Sequence, residues 1–317
     1  MNSVDQPQPN KPLIEVRDLV TRFDLKGGLL GRTTGRVHAV ENVSFDIFPG
    51  ETLALVGESG CGKSTVARSI MQLDRPQSGS IRYQGTELVG GSGKDLRQFR
   101  REAQMVFQDP FSSLNPRMTI AQALIDPMRV HRLGSSAALR ERAAVLLAKV
   151  NLPSDYLERY PHAFSGGQRQ RICIARALAL DPRLIIADEA VASLDVTIQA
   201  QVINLLMDLQ HEMGIAILFI SHDMAVVERI AHRVAVMFLG EIVEIGDRRS
   251  VFGNPQHPYT RKLLSTVPVA DPARRSIARE PLSDEIPSAV RPADFVPIHL
   301  PMTQISSNHY VRATQQA

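Results

Sequence analysis

The segment Leu53-Ala54-Leu55-Val56-Gly57-Glu58-Ser59-Gly60-Cys61-Gly62-Lys63-Ser64 opens on four apolar residues and closes on a lysine and a serine, with three glycines between. Glu51 to Val56 predicts a short buried strand, and Ser64 to Leu73 predicts a helix. The turn joining them, Gly57 to Ser64, fits G-x-x-x-x-G-K-[ST], a phosphate-binding loop. Glycines let backbone N–H groups converge on phosphate oxygens, and a helix N-terminus adds partial positive charge. Lys63 is then set to reach β- and γ-phosphates, and the Ser64 hydroxyl to ligate Mg²⁺. The rival reading is a plain glycine-rich turn. A chance match in a chain of this length is on the order of one in a hundred, and the strand-helix context lowers it further.

Working outward, strand and helix alternate. Leu13 to Phe23 alternates apolar and polar residues and predicts a strand; Lys26 to Arg36, with four glycines, predicts a loop. Val37 to Phe48 predicts a strand closed by the Pro49-Gly50 turn, and Ile81 to Tyr83 and Met105 to Phe107 predict two short ones. Residues 117–180 turn helical, with Ala137 to Val150 carrying apolar residues at helical spacing. Leu184 to Ala187 and Ile215 to Ile220 predict buried strands around a helix, Val196 to Met213; the helix Met224 to His232 and a hairpin, Val234 to Ile245, follow. This order predicts a parallel sheet wrapped by helices, with a helical insertion. Residues 1–12 predict a disordered leader. From Ala270 on, six prolines and no glycine predict a poorly packed tail.

Further chemistry-bearing residues fall at the ends of these strands. Leu184-Ile185-Ile186-Ala187-Asp188-Glu189 is an apolar strand ending in two carboxylates, and ligands gather at the carboxyl ends of parallel strands. Asp188 is placed to hold Mg²⁺, and Glu189 to polarise a water attacking a γ-phosphate. A solvent-facing acidic pair is the alternative. Ser165-Gly166-Gly167-Gln168 precedes the helical Arg169 to Leu180 and reads either as a second anion site or as a simple helix cap. Two phosphate-binding devices in one chain are explained by a composite site in a two-fold dimer. Gln108 can offer an amide near Mg²⁺ or the attacking water. His222 can donate to the γ-phosphate, while Ser221 or Asp223 caps the next helix. Phe23 reads equally as an adenine-stacking ring or a core aromatic. Cys61 and Cys173 read as bystanders.

Composition excludes several classes. The chain has 317 residues, 44% of them hydrophobic and 22% charged, with 36 basic and 33 acidic side chains for a net charge of +3. That is ordinary globular usage, not a disordered, collagen-like or disulfide-stapled chain. No apolar run exceeds six residues, Ile215 to Ile220 among them, whereas a spanning helix needs about 20. The polar start, Met1 to Pro12, has no signal-peptide core, so the chain is expected to stay in the cytosol. The charge is too small to argue for nucleic acid as a partner.

In this order the set resembles the nucleotide-binding subunit of ABC transporters. The phosphate loop, Gln108, Ser165-Gly166-Gly167-Gln168, Asp188-Glu189, Ser193-Leu194-Asp195 and His222 match that family's Walker A, Q-loop, signature, Walker B, D-loop and H-loop, from about Leu13 to Val269. Phe107 to Pro116, Tyr160-Pro161-His162 and Asn254-Pro255-Gln256-His257-Pro258-Tyr259-Thr260 are similar to the dipeptide/oligopeptide importer branch. Arg171 to Arg176, Ala187 to Val191 and Met224 to Arg229 are most similar to the second half of the glutathione-importing ATPases, which fuse two such units where this chain holds one. Phe164 and Ala190 depart from the usual leucine and proline.

The resemblance implies an α/β P-loop NTPase of the ABC type, with a parallel core sheet, an antiparallel β-subdomain and a helical subdomain at about 117–180. It implies a nucleotide-binding domain over 13–269 and a tail over 270–317. It implies ATP held by Phe23, by Gly57, Glu58, Ser59, Gly60, Cys61, Gly62, Lys63, Ser64 and Thr65, and by Ser165, Gly166, Gly167, Gln168 and Asp195. Mg²⁺ falls to Ser64, Gln108 and Asp188, and catalysis to Glu189, His222 and Gln108. Related importers often carry a cysteine-rich iron–sulfur segment near the C-terminus; residues 270–317 hold no cysteine, so no cluster is expected. The implied partners are two transmembrane permease subunits, a second ATP-binding subunit (identical or different) and an extracytoplasmic solute-binding protein. The implied place is the cytoplasmic face of the inner membrane, peripherally bound through the permeases. The expected activity is ATP hydrolysis driving uptake of di- and oligopeptides, with glutathione a candidate cargo. The alternatives are a soluble non-transport ABC ATPase and a P-loop small-molecule kinase.

Overall fold

The structure, a computed structural model, describes residues 11–27, 32–265, 289–292 and 294–314. Most of the expected leader and the first part of the expected tail lie outside them. Two units emerge, each assembled from separated stretches: the first from Leu13, Ile47–Thr52 and Gly91–Ile220, the second from Ile14–Asp46, Leu53–Gly90 and the chain from Ser221 onward.

The second unit holds β1 (Ile14–Gly27), β2 (Arg32–Ile47), β3 (Thr52–Val56), α1 (Lys63–Ile70), β4 (Ser78–Tyr83) and β5 (Thr86–Glu87). One antiparallel sheet runs β5-β4-β1-β2. Arg22 of β1 clamps Glu41 of β2 through two bonds of 2.5 and 2.7 Å. Of the expected loop from Lys26 to Arg36, residues 28–31 lie outside the described residues and the rest is strand, because β1 extends to Gly27 and β2 begins at Arg32. Glycine content misleads there: a strand flanked on both sides tolerates glycine that propensity alone disfavours.

The first unit holds α2 (Gly93–Glu102), β6 (Ala103–Val106), α3 (Pro110–Ser113), α4 (Ile120–Val130), α5 (Ser136–Lys149), α6 (Gly166–Leu178), β7 (Leu184–Asp188), α7 (Val196–Met213) and β8 (Ala216–Ser221). Its three strands are parallel in the order β6-β7-β8. Every residue of β7 and β8 is buried, as expected of parallel strands covered on both faces. The helical insertion is present as α4, α5 and α6, each started by a hydroxyl cap, from Thr119, Ser135 and Ser165. Leu124, Met128, Leu139, Leu147 and Ile172 form its core.

The second unit continues with α8 (Met224–Ile230), β9 (Arg233–Phe238), β10 (Glu241–Asp247), α9 (Arg248–Gly253), α10 (Pro258–Ser265), β11 (Val290–Arg291), β12 (Met302–Ser306) and β13 (His309–Arg312). β11 extends the antiparallel sheet at β2. A second run goes β3-β9-β10-β13-β12, with β3 and β9 parallel and the rest antiparallel. The described C-terminal residues therefore correct the expected poorly packed tail. His309 and Arg312 of β13 are buried against β10; His309 Nε2 lies 2.8 Å from the fully buried Glu244, and Arg312 Nε donates to the Ile242 carbonyl. Polar composition hid this strand because its anchors are hydrogen-bonded polar side chains and not an apolar face. Among the described residues no helix is long and apolar enough to cross a membrane.

Candidate functional site

The sequence-predicted site residues fall into two groups, one in each unit. In the second unit the phosphate loop leaves β3 at Gly57 and enters α1 at Gly62, and the register Val56↔Val236 sets β9 alongside its start. Gly57 sits at φ 152, and a Cβ there would lie 2.2 Å from the Met237 carbonyl oxygen of β9. Gly62 sits at φ 108, and a Cβ would lie 1.9 Å from the Ala39 carbonyl oxygen. Both glycines are thus required by close backbone approach as well as by a left-handed turn. No side chain caps the start of α1. Ser59, Gly60 and Ser64 are exposed there, with Thr65 half-buried.

Lys63 is buried at 4% exposure, and its ammonium donates to the Gly57 and Glu58 carbonyls, both at 2.8 Å. The loop's own carbonyl dipoles satisfy the buried charge. Cys61 is buried behind the loop and burial pushes its thiol up; Cys173 is pushed up to about 11 by the same cause. Both fit the inert role expected of them. One loop contact was not foreseen: the Glu58 N–H donates to the Tyr259 hydroxyl at 3.0 Å, across 201 positions of sequence. Phe23, on β1, is 41% exposed, which removes the core-aromatic alternative. His222 is exposed and precedes Asp223, whose carboxylate caps α8.

In the first unit the registers Val106↔Ala187 and Asp188↔Ile220 bring the ends of β6 and β7 to one sheet edge. Gln108, two residues past β6, and the Asp188-Glu189 pair therefore share the carboxyl edge where parallel sheets bind ligands. Asp188 is the last strand residue, 9% exposed. Glu189 makes one more ladder bond, its N–H donating to the Ile220 carbonyl at 3.1 Å, then turns at φ 47. A left-handed glutamate is sparsely populated and marks a position held by its surroundings. Buried Ala190 and Val191 follow directly and anchor that turn.

Ser165 and Gln168 form a reciprocal capping box at the start of α6. The cap reading therefore holds, without excluding an anion at the helix start. Gly166 packs on the turn before α7 and Gly167 on its first turn: a Cβ on Gly167 would lie 2.3 Å from the Ile198 methyl, and one on Gly166 3.8 Å from Leu194. The expected signature and Asp195 segments are thus fitted to each other within this unit, with Asp195 exposed at the start of α7.

The loop geometry has a direct consequence. Gly62→Ala is expected to cost at least about 2 kcal/mol, from backbone strain and the Ala39 clash, lowering Tm by roughly 4–8 °C and weakening nucleotide binding. A thermal melt that matches the wild type contradicts the tight turn described.

The ABC transporter family matches residues 40–192, and the oligopeptide/dipeptide transporter C-terminal region matches residues 243–293. The chain is 55% identical over 305 residues to the glutathione import ATP-binding protein of Pectobacterium atrosepticum, covering 96% of this chain and 49% of that protein. It is 56% identical over 305 residues to the protein of the same name in Escherichia coli, with coverages of 96% and 49%. The chain thus spans about half the length of the curated relatives it matches. Among solved structures, cbiO1 from Clostridium perfringens, part of an ABC transporter complex, superposes with TM-score 0.66 at 27% identity, covering 77% of this chain and 92% of that one. A dimeric post-hydrolysis ATP-binding cassette bound to ADP and Pi superposes with TM-score 0.65 at 27% identity, covering 74% and 99%.

Proposed function

The chain belongs to the ABC transporter family of ATP-binding proteins, and from that premise we propose that it is the ATP-hydrolysing subunit of an importer for di- and oligopeptides, glutathione among them. The observation that carries the reading is a phosphate loop shaped by glycines against backbone, with an ammonium resting on its own carbonyls. A phosphate oxygen joins those two carbonyls as a partner of the three-donor Lys63 ammonium, while the amides of Gly57 to Thr65 and the start of α1 take the rest of the charge. Phe23 offers an exposed ring to the adenine.

Hydrolysis needs a water activated beside the γ-phosphate. Glu189 takes its proton, His222 donates to the γ-phosphate, and Gln108 orients the water through its amide. Ser64, Gln108 and Asp188 carry hydroxyl, amide and carboxylate oxygens, the donor chemistry that Mg²⁺ prefers. When bound, that ion screens phosphate charge. Ser165 to Gln168 and Asp195 serve the nucleotide of a second ATP-binding subunit, so that each site is completed by its partner.

The branch is supported by the oligopeptide/dipeptide C-terminal match and by relatives named for glutathione import. The remaining partners of this reading are two permease subunits and a solute-binding protein, with the chain held at the cytoplasmic face of the inner membrane. Deleting the gene is expected to impair uptake of labelled glutathione or dipeptides. Normal uptake of both, with loss of a sugar or metal ion instead, overturns the cargo assignment.

A further inference from the structure

The segment Asn254 to Thr260 takes no part in the nucleotide reading above, yet it reaches the phosphate loop. Glu244 of β10 is fully buried, and its carboxylate accepts the N–H groups of Gln256 and His257, both at 2.9 Å, besides facing His309 Nε2. The His257 ring in turn accepts the Tyr259 N–H on Nδ1 at 3.2 Å. Burial holds the His257 imidazole below its ordinary pKa, which keeps the ring neutral and Nδ1 able to accept. Tyr259 is buried at the first turn of α10, its ring 4.2 Å from that of Phe238 at the end of β9. The phenol oxygen then meets the Glu58 N–H at 3.0 Å.

The bond falls at a sensitive place. The peptide plane between Gly57 and Glu58 follows a glycine, so little steric restraint resists its rotation. Its orientation decides where the Gly57 carbonyl points, and Lys63 rests on that carbonyl and on the carbonyl of Glu58. We infer that Tyr259 is a positioning residue for the phosphate loop: its hydroxyl fixes the Gly57–Glu58 peptide and so preorganises Lys63 and the loop amides for nucleotide phosphate. Glu244 and His257 hold the tyrosine in place, which gives the His257-Pro258-Tyr259 motif a purpose in the ATPase cycle. This inference rests on the loop being the nucleotide site.

Tyr259→Phe in the full chain removes the hydroxyl and leaves the ring on Phe238. Affinity for Mg·ADP, measured calorimetrically, is expected to fall about three- to tenfold, the weight of one buried hydrogen bond. KM for ATP should rise similarly, with kcat within about twofold. Amide exchange of the 57–60 segment should quicken. A purely structural tyrosine would lower the folded fraction and leave KM and Mg·ADP affinity of the folded protein unchanged. Wild-type affinity and wild-type loop exchange in Tyr259→Phe overturn the inference. Lys63→Ala, run in parallel, separates the two levels. Loss of Mg·ADP binding there with a normal Tyr259→Phe refutes only the positioning role, whereas normal binding in Lys63→Ala refutes the nucleotide site itself. Should Tyr259→Phe not fold, the wild type still decides: the Glu58 amide of the nucleotide-free protein must exchange slowly, and exchange at the rate of an open loop overturns the inference.

Discussion

Glu189→Gln is expected to bind ATP normally and to hydrolyse it roughly 10²–10⁴-fold more slowly, the usual share of a general base. The substitution keeps size and hydrogen-bonding reach and removes the basic charge. Binding survives because the phosphate loop, Lys63 and Ser64 are untouched. The backbone argues for a dedicated role: Glu189 turns at φ 47 directly after a ladder bond to Ile220, with buried Ala190 and Val191 behind it. Glutamine tolerates that backbone no worse than glutamate, so a large loss of rate reports chemistry and not folding. In the proposed dimer closure follows ATP binding and not its cleavage, so the variant should accumulate as an ATP-bound dimer. Size-exclusion chromatography with ATP and a phosphate-release assay read both effects. A solvated strand-end carboxylate predicts near-normal turnover instead. Wild-type hydrolysis by Glu189→Gln in the assembled transporter removes Glu189 from catalysis.

Lys63→Ala is expected to lose nucleotide-dependent stabilisation and to lower ATP turnover by at least about 10²-fold, the scale seen when one preorganised charge-stabilising donor is removed. The structure adds a second consequence. Because the ammonium is buried and bonded to the Gly57 and Glu58 carbonyls, the alanine variant also leaves those oxygens without their partner. Two charged hydrogen bonds of this kind are worth roughly 1.5–3 kcal/mol each, partly offset by no longer burying a charge. The variant should therefore fold but melt several degrees lower. Wild-type protein at 100 times Kd gains about 2.7 kcal/mol from bound nucleotide; the variant should show no such rise in Tm. Normal ATPase activity contradicts the assignment of the loop, and so does an unchanged response to Mg·ATP.

Reading along the chain was enough to locate the glycine turn Gly57 to Ser64, the acidic strand end and the alternation of strand and helix around them. Those features are local: Gly57 to Ser64 is one turn, Leu184 to Asp188 one buried strand, and Val196–Met213 one helix read to its observed ends. Helix α2 escaped because its apolar face is only Leu96 and Phe99, of which Phe99 alone is buried, its start being held by Ser92 accepting the Asp95 N–H. Strand β13 escaped because its anchors are His309 and Arg312, whose partners on β10 lie 65 and 70 positions away. The packed fold buries Lys63 on its own loop and turns Glu189 left-handed. It alone brought the Tyr259 hydroxyl to the Glu58 N–H. Each of these depends on where a distant backbone atom lies, and hydrophobic periodicity records which face of an element is buried but not which carbonyl or amide the fold will bring against it.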